Sequence, residues 1–158
     1  MGNLSHTRFQ TAATPIQNNS AMYALEYSYT KGKWIVQPYW QTSDVPRDLA
    51  IGVAKATTTE GGAFLASRSL AHGFALAFRG EFIRSSGNSA DGSQNLLYGP
   101  GSSAWSATVT PTFQKQRFFL RGDASVVHAV SATAGDAFGR TGSDATQGRG
   151  VLEVGLLF

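Results

Sequence analysis

The sequence predicts an all-β fold, a transmembrane antiparallel up-and-down β-barrel with about eight strands in this chain, and three observations predict it. Apolar and polar residues alternate with period two along nearly the whole chain, which marks strands with two unlike faces. Very short connections alternate strictly with long ones rich in Gly, Ser, Asp and Asn, so that tight turns gather at one end of the sheet and long loops at the other. Aromatic residues collect toward the ends of the apolar stripes, while Leu, Val, Ala and Gly occupy the stretches between.

The first strand is assigned to about residues 3–12, where alternation is poor, because a single-chain barrel needs an even number of strands. "ATPIQNN" then forms the loop to the next strand. From Ser20 to Thr30 one face reads Tyr23, Leu25, Tyr27, Tyr29 and the other Met22, Ala24, Glu26, Ser28. After the turn "KGK", Lys33 to Thr42 sets Trp34, Val36, Pro38, Trp40 against Ile35, Gln37, Tyr39, Gln41. Ala63 to Leu70 alternates less cleanly, with Phe64, Ala66 and Leu70 opposite Ser67 and Ser69.

Phe74 to Ile83 is plainer, with Phe74, Leu76, Phe78, Gly80, Phe82 opposite Ala75, Ala77, Arg79, Glu81, Ile83. Ala104 to Gln114 pairs an apolar stripe beginning at Trp105 and ending at Phe113 with an all-polar one of Ser106, Thr108, Thr110, Thr112 and Gln114. Phe118 to Val127 sets Phe118, Leu120, Gly122, Ala124, Val126 against Phe119, Arg121, Asp123, Ser125. The tail "RGVLEVGLLF" completes the set, with Gly150, Leu152, Val154, Leu156 and Phe158 on one face and Val151, Glu153, Gly155 and Leu157 on the other. Pro38 and Pro111 interrupt two strands, and each is expected to open the ladder or force a bulge because Pro has no N–H to donate.

The short connections are "KGK", "LAHG" and "QKQR"; the long ones run from Ser43 to Gly62, Ser85 to Ser103 and Ala129 to Gly148. "DLAIGVAKA" is apolar enough to suggest extra strands, but they would place a tight turn at the long-loop end, so it is assigned to a loop.

Composition agrees with this architecture. Charged residues make up 15% of the 158 residues, well below the ~25% of a water-facing globular surface. Glycine (18 residues) and aromatics (11%) suit strands and turns. No apolar run approaches the ~18 residues of a membrane-spanning helix. There is no cysteine, hence no disulfide framework or thiolate metal site. The start "MGNLSHTRFQ" lacks a basic stretch followed by an apolar core, so no signal peptide is read there: the chain is either not secreted or a mature or trimmed form. The net charge of +3 comes from scattered Lys and Arg, so no nucleic-acid surface is expected.

In a water-soluble barrel the apolar face points inward. Here the polar face is thin in charge, and aromatics gather at two levels of the apolar face: Tyr29, Trp34, Phe74, Phe113, Phe118 and Phe158 toward the short turns, and Tyr23, Trp40, Phe64, Phe82 and Trp105 toward the long loops. Aromatic rings favour the headgroup boundary and aliphatic groups the hydrocarbon, so these read as the two girdles of a membrane band. Phe74 to Phe82 spans about 26 Å along a strand, or about 20 Å along the membrane normal once tilted by ~40°. A soluble ligand-binding barrel is the competing account, with the aromatics as its core.

The polar face carries Arg79 with Glu81, Arg121 with Asp123, and Glu153 on the neighbouring terminal strand, joined by Glu26, Lys33 and Gln37 as lumen-lining candidates. Mixed signs are required of confined charges. In an isolated eight-stranded barrel they would fill the interior as an ion-pair network, and in a barrel of about twice the strand count they would line water. His6, His72 and His128 have neither ligand nor nucleophile-base spacing, so no catalytic residue, metal or cofactor is assigned. "SADGSQN" and "AGDAFGRTGSD" carry acidic residues that are better explained as solvated loops than as a cation site.

The tail also carries a resemblance. "GVLEVGLLF" resembles the C-terminal strand with which bacterial outer-membrane barrels end, a terminal aromatic preceded by apolar residues at alternating positions, and this implies recognition by the barrel-assembly machinery through Leu152, Val154, Leu156 and Phe158. "YTKGKWIVQPYWQTSDVP", "GGAFLAS", "FALAFRGEFIRSSG" and "TVTPTFQKQRFFLRGDAS" resemble the C-terminal part of the OmpL-like porins of the β-barrel porin-2 family. Members of that group are larger than this chain, so the resemblance implies that residues 1–158, a single transmembrane barrel domain, supply the last eight strands or so of a larger barrel. The first reading of the chain is accordingly a non-enzymatic protein of the bacterial outer membrane, in contact with lipid, that passes small hydrophilic solutes by passive diffusion, although pore formation does not follow from the resemblance itself. The alternative is a non-conducting small barrel that anchors or adheres through its loops. Assembly of several copies is compatible with either.

Overall fold

A computed structural model describes residues 2–6, 21–91, 93 and 97–157. Nine β-segments follow one another: β1 (Gly2–His6), β2 (Ala21–Glu26), β3 (Tyr29–Lys31), β4 (Trp34–Val45), β5 (Thr57–Ser69), β6 (Phe74–Ser85), β7 (Ser103–Lys115), β8 (Phe118–Val130) and β9 (Thr146–Leu156). All pairings are antiparallel between neighbours in sequence, with β2 and β3 both lying along β4. The result is one up-and-down sheet of eight strands, open, with β1 and β9 at its edges.

The break between β2 and β3 has a cause in the facing strand. Tyr27 and Ser28 lie opposite Pro38 and Gln37, between the pairs Glu26–Tyr39 and Tyr29–Val36. Pro38 has no N–H to give, and only the return bond from the Tyr27 N–H to the Pro38 carbonyl remains, at 3.1 Å. On its other side Pro38 still pairs with Phe64. Pro111 does the same: it pairs with Leu76 on one side, while the β7–β8 ladder skips Thr110 and Pro111 and resumes at Thr112–Arg121. Both expected disruptions are openings, not bulges, because residue counts on the two strands stay equal.

The tight turns form as the sequence indicates. Gly32 adopts φ +58°, and His72 and Gly73 adopt +60° and +83°. Gly73 passes so close to the Gln114 carbonyl that a Cβ there would sit 2.0 Å from it. Gln116 takes φ +54° in the turn from β7 to β8, without the freedom of glycine. At the opposite end "DLAIGVAKA" is a loop, with a single 3-10 turn at Leu49–Ile51 capped by the Asp48 carboxylate.

Strand boundaries at the long-loop end differ from expectation, with β4 running to Val45 and β6 to Ser85. β5 starts at Thr57, not Ala63, because "TTTEGG" pairs with Val45–Trp40 on one side and Ser85–Phe82 on the other. Side-chain alternation is weak there, yet the backbone ladder needs no alternation. β8 and β9 likewise extend to Val130 and back to Thr146, shortening the long loop between them. The first strand is present at Gly2–His6 against Ala21–Leu25, while the rest of the expected segment lies outside the described residues.

Register fixes the faces. Trp40, Gly62, Phe82 and Trp105 fall in one cross-strand row, and Phe74 pairs with Phe113, their ring centroids 4.8 Å apart. The intervening rows hold Trp34, Arg68, Leu76 and Pro111, then Val36, Ala66, Phe78 and Val109, then Pro38, Phe64, Gly80 and Ala107. Phe64 is therefore inside its strand opposite Gly80, not at the long-loop rim, because β5 begins six residues before the expected start. Phe78 is also central, and its ring lies over Gly80. Benzyl groups carry no polar edge, so nothing confines them to the rim.

Burial is inverted relative to a water-soluble sheet. Val45, Thr57, Ala63, Ser85, Ala104, Thr108 and Ala129, all buried, share the polar face. Trp34, Trp40, Phe74, Phe82 and Trp105, on the apolar face, remain about half exposed at 45–51%. Among the described residues no second layer covers either face, so the polar side chains are shielded by curvature of the sheet toward them and by the long loops at one end.

This assignment is checked by paired substitutions in the refolded, lipid-embedded protein. Val109→Arg, central on the apolar face, is expected to cost about 2–4 kcal/mol, and Ala77→Arg on the polar face under about 1 kcal/mol; denaturant unfolding reads the difference, and equal costs reverse the faces.

Candidate functional site

Alternation sends every second residue of β4 to β9 into the concave polar face, and antiparallel pairing joins these residues in rows. One row runs Glu26, Tyr39, Ala63, Glu81, Ser106, Val127 and Gln147; the next toward the short turns runs Gln37, Leu65, Arg79, Thr108, Ser125 and Arg149. Asp123 lies beside Val151 one row further on, and Arg121 beside Glu153 one row beyond that.

Glu81 is the hub of the first row. Its carboxylate accepts from the Ser106 hydroxyl at 2.7 Å and the Tyr39 hydroxyl at 3.5 Å, and it forms an ion pair with Arg79 Nε at 3.3 Å. Above it a recess of about 220 Å³ is lined by Tyr39, Gln41, Glu81 and Ser106 together with Leu97 and Tyr98 from the β6–β7 loop. That loop therefore turns in over the polar face.

A second recess, of about 290 Å³, lies between Arg79, Arg121, Asp123, Ser125, Arg149, Val151 and Glu153. Arg121 Nη1 reaches Glu153 Oε2 at 3.4 Å, and Asp123 accepts from the Thr110 hydroxyl at 3.1 Å. Gln37 donates to the Ser28 hydroxyl at 3.4 Å, across the opening made by Pro38. Water-facing pairs of this kind add little stability individually; their consequence is a face studded with both signs of charge.

Of the expected lumen residues, Glu26, Gln37, Arg79, Glu81, Arg121, Asp123 and Glu153 occupy this face. Lys33 does not: it lies in the tight turn between β3 and β4, because Lys31 and Trp34 already close the ladder. Arg149 was missed, although it has the same parity as Glu153 in the tail. The other expected group, Tyr23, Tyr29, Trp34, Trp40, Phe64, Phe74, Phe82, Trp105, Phe113 and Phe118, occupies the apolar face. Leu152, Val154 and Leu156 point the same way from β9 and are strongly exposed at 60–72%, whereas Phe158 lies outside the described residues.

Charges on the apolar face keep to its margins. Glu60 and Arg84 pair one row beyond Trp40 and Phe82, and Arg68 places its guanidinium 5.2 Å from the centre of the Trp34 ring near the short turns. His128 also belongs to this face, with its ring 5.7 Å from Trp105 and Nδ1 2.7 Å from the Thr146 hydroxyl.

The long loops are tied together. Lys55 Nζ meets Asp91 Oδ2 at 2.7 Å, the Thr133 N–H donates to the Tyr98 carbonyl at 2.8 Å, and the Tyr98 and Phe138 rings meet edge to face at 5.3 Å. The hydrogen bond from Lys55, with those from Ser93, holds the Asp91 carboxyl down at about 2. The Asp91 carboxylate is thus committed to internal contacts, and no group of three metal-ligating side chains occurs among the described residues.

A family model described as "Putative beta-barrel porin-2, OmpL-like" matches residues 2–158, and the chain belongs to that family. The all-β sheet is the wall of a membrane β-barrel. No curated protein and no solved structure is detectably similar to the chain.

The loop tie makes a pH prediction. A carboxyl held below its ordinary value stabilises its contact fully above the unfolded value near ~3.9 and loses that contribution as pH falls through about 2. The Ser93 amide resonance is expected to report release of Asp91 in that acid window only, and Lys55→Ala is expected to move the transition upward.

Proposed function

We propose that this porin-family chain contributes the wall of a passive pore for small hydrophilic solutes in the bacterial outer membrane, with long loops outside the cell and tight turns in the periplasm. The observation that carries the proposal is the inversion of faces: a concave polar face bearing Arg79, Glu81, Arg121, Asp123, Arg149 and Glu153, and an aromatic convex face left uncovered. Hydrocarbon favours the second and water the first, and a lumen lined with both signs of charge passes hydrated solutes without chemistry of its own. On this reading the protein is not an enzyme. Its partners are outer-membrane lipid, the barrel-assembly machinery acting on the terminal strand, and the solutes themselves; copies of the chain are further candidate partners along the open edges.

A second reading has its own support in the strand count. A barrel closed from eight strands has an interior about filled by its side chains, and such a barrel would serve as an anchor or adhesion scaffold presenting the loop cluster joined by Lys55–Asp91 and Tyr98–Phe138.

Planar-bilayer recording separates the two. Steady ohmic steps are expected of the pore, and silence at high protein density supports the scaffold. Deletion of Phe158 is expected to reduce assembly in cells severalfold while leaving refolding in detergent intact; normal assembly of the truncated chain removes the addressing role of the tail.

A further inference from the structure

We propose that the polar face contains a binding station for small oxyanions, carboxylate or phosphate, centred on Arg149; the inference rests on the reading that this face lines the solute path. Arg79 and Arg149 lie in the same cross-strand row, separated by Thr108 and Ser125. Three strand spacings put their backbones about 14 Å apart, yet both side chains line the one recess of about 290 Å³, because the sheet curves toward this face. Arg121 lines it from below.

The three guanidiniums are not equivalent. Arg79 is engaged by Glu81 and Arg121 by Glu153, each at more than 3 Å. The Arg149 side chain has no hydrogen bond or ion pair among the described residues, so its donors are available in a recess that the Ser125 hydroxyl also lines. A guanidinium presents a planar fork that matches a carboxylate or phosphate with two parallel bonds. Ser125, paired directly with Arg149, supplies a third donor on the same row. Its neighbour Thr108 is only 4% exposed and its hydroxyl has no partner among the described residues, so this part of the face is polar beyond what its own contacts use.

Asp123 opposes the anion. It lines the same recess and, among the described residues, has only the Thr110 hydroxyl as side-chain partner, without a cation within ion-pair distance. Its position diagonal to Arg149 makes the station weak and reversible, as a pathway requires: a solute must leave as readily as it enters.

Two measurements on the full chain in lipid test the proposal. Calorimetric titration with sodium phosphate and, separately, sodium acetate is expected to detect binding that falls about tenfold or more in Arg149→Gln and strengthens in Asp123→Asn. Reversal potentials in a KCl gradient are expected to show a chloride preference that drops toward unity in Arg149→Gln and rises in Asp123→Asn. Retained heat-modifiable mobility of each variant controls for folding. Conductance with neither selectivity nor anion binding dependent on Arg149 overturns the station and leaves the pore reading standing. A silent bilayer with Arg149-dependent binding overturns the pore and keeps the station, and absence of both overturns both.

Discussion

Hydrocarbon offers no hydrogen-bond partner, so every peptide N–H and C=O that crosses it must be satisfied by another peptide. The sheet meets this demand by pairing each strand with its neighbour in sequence along nearly its whole length. Where the ladder fails, the failure is chemical and local: Pro38 and Pro111 each face their defective side to one neighbour and keep pairing with the other. The open edges of β1 and β9 are the remaining debt, and membership of a β-barrel family is consistent with their being met by closure of the wall.

Once the backbone is committed to strands, the side chains have only two places to go. Period two forces Trp40, Phe82 and Trp105 to one surface and Glu81, Arg79 and Ser106 to the other. Curvature then decides the consequences. The polar side chains converge until they bond one another, as Tyr39 and Ser106 do on Glu81, while the aromatic ones diverge into whatever surrounds the sheet. Residues that violate the pattern, Arg68, Glu60 and Arg84, stand near the ends of the apolar stripe where a long side chain can reach water.

Much of this was legible because strand parity is a local property. The faces of β6, β7 and β8 follow from counting by twos from Phe74, Trp105 and Phe118, and the register agrees with that count throughout. Boundaries were harder. Thr57 to Gly62 joins a strand through backbone pairing that its side chains do not advertise, and this displaced Phe64 from the rim to the interior. Lys33 shares the parity of the polar face yet sits in a turn, because parity carries no information about where a ladder ends. Which charges meet was legible only in part: Arg79 meets Glu81 on its own strand as expected, but Arg121 pairs with Glu153 on the next strand, while Asp123 turns to Thr110. Spacing within one strand cannot reveal cross-strand partners. The descent of Leu97 and Tyr98 over Glu81 depends on loop conformation, which composition leaves open.

The central claim is that the aromatic face meets acyl chains. All three tryptophans, Trp34, Trp40 and Trp105, lie on that face, so their fluorescence reports on it without interference from the other. In vesicles of lipids brominated along the acyl chain, the account predicts strong quenching of the folded protein, with little further quenching by aqueous iodide. Tryptophans untouched by bromine in a chain that stays folded and monodisperse in plain buffer would contradict it.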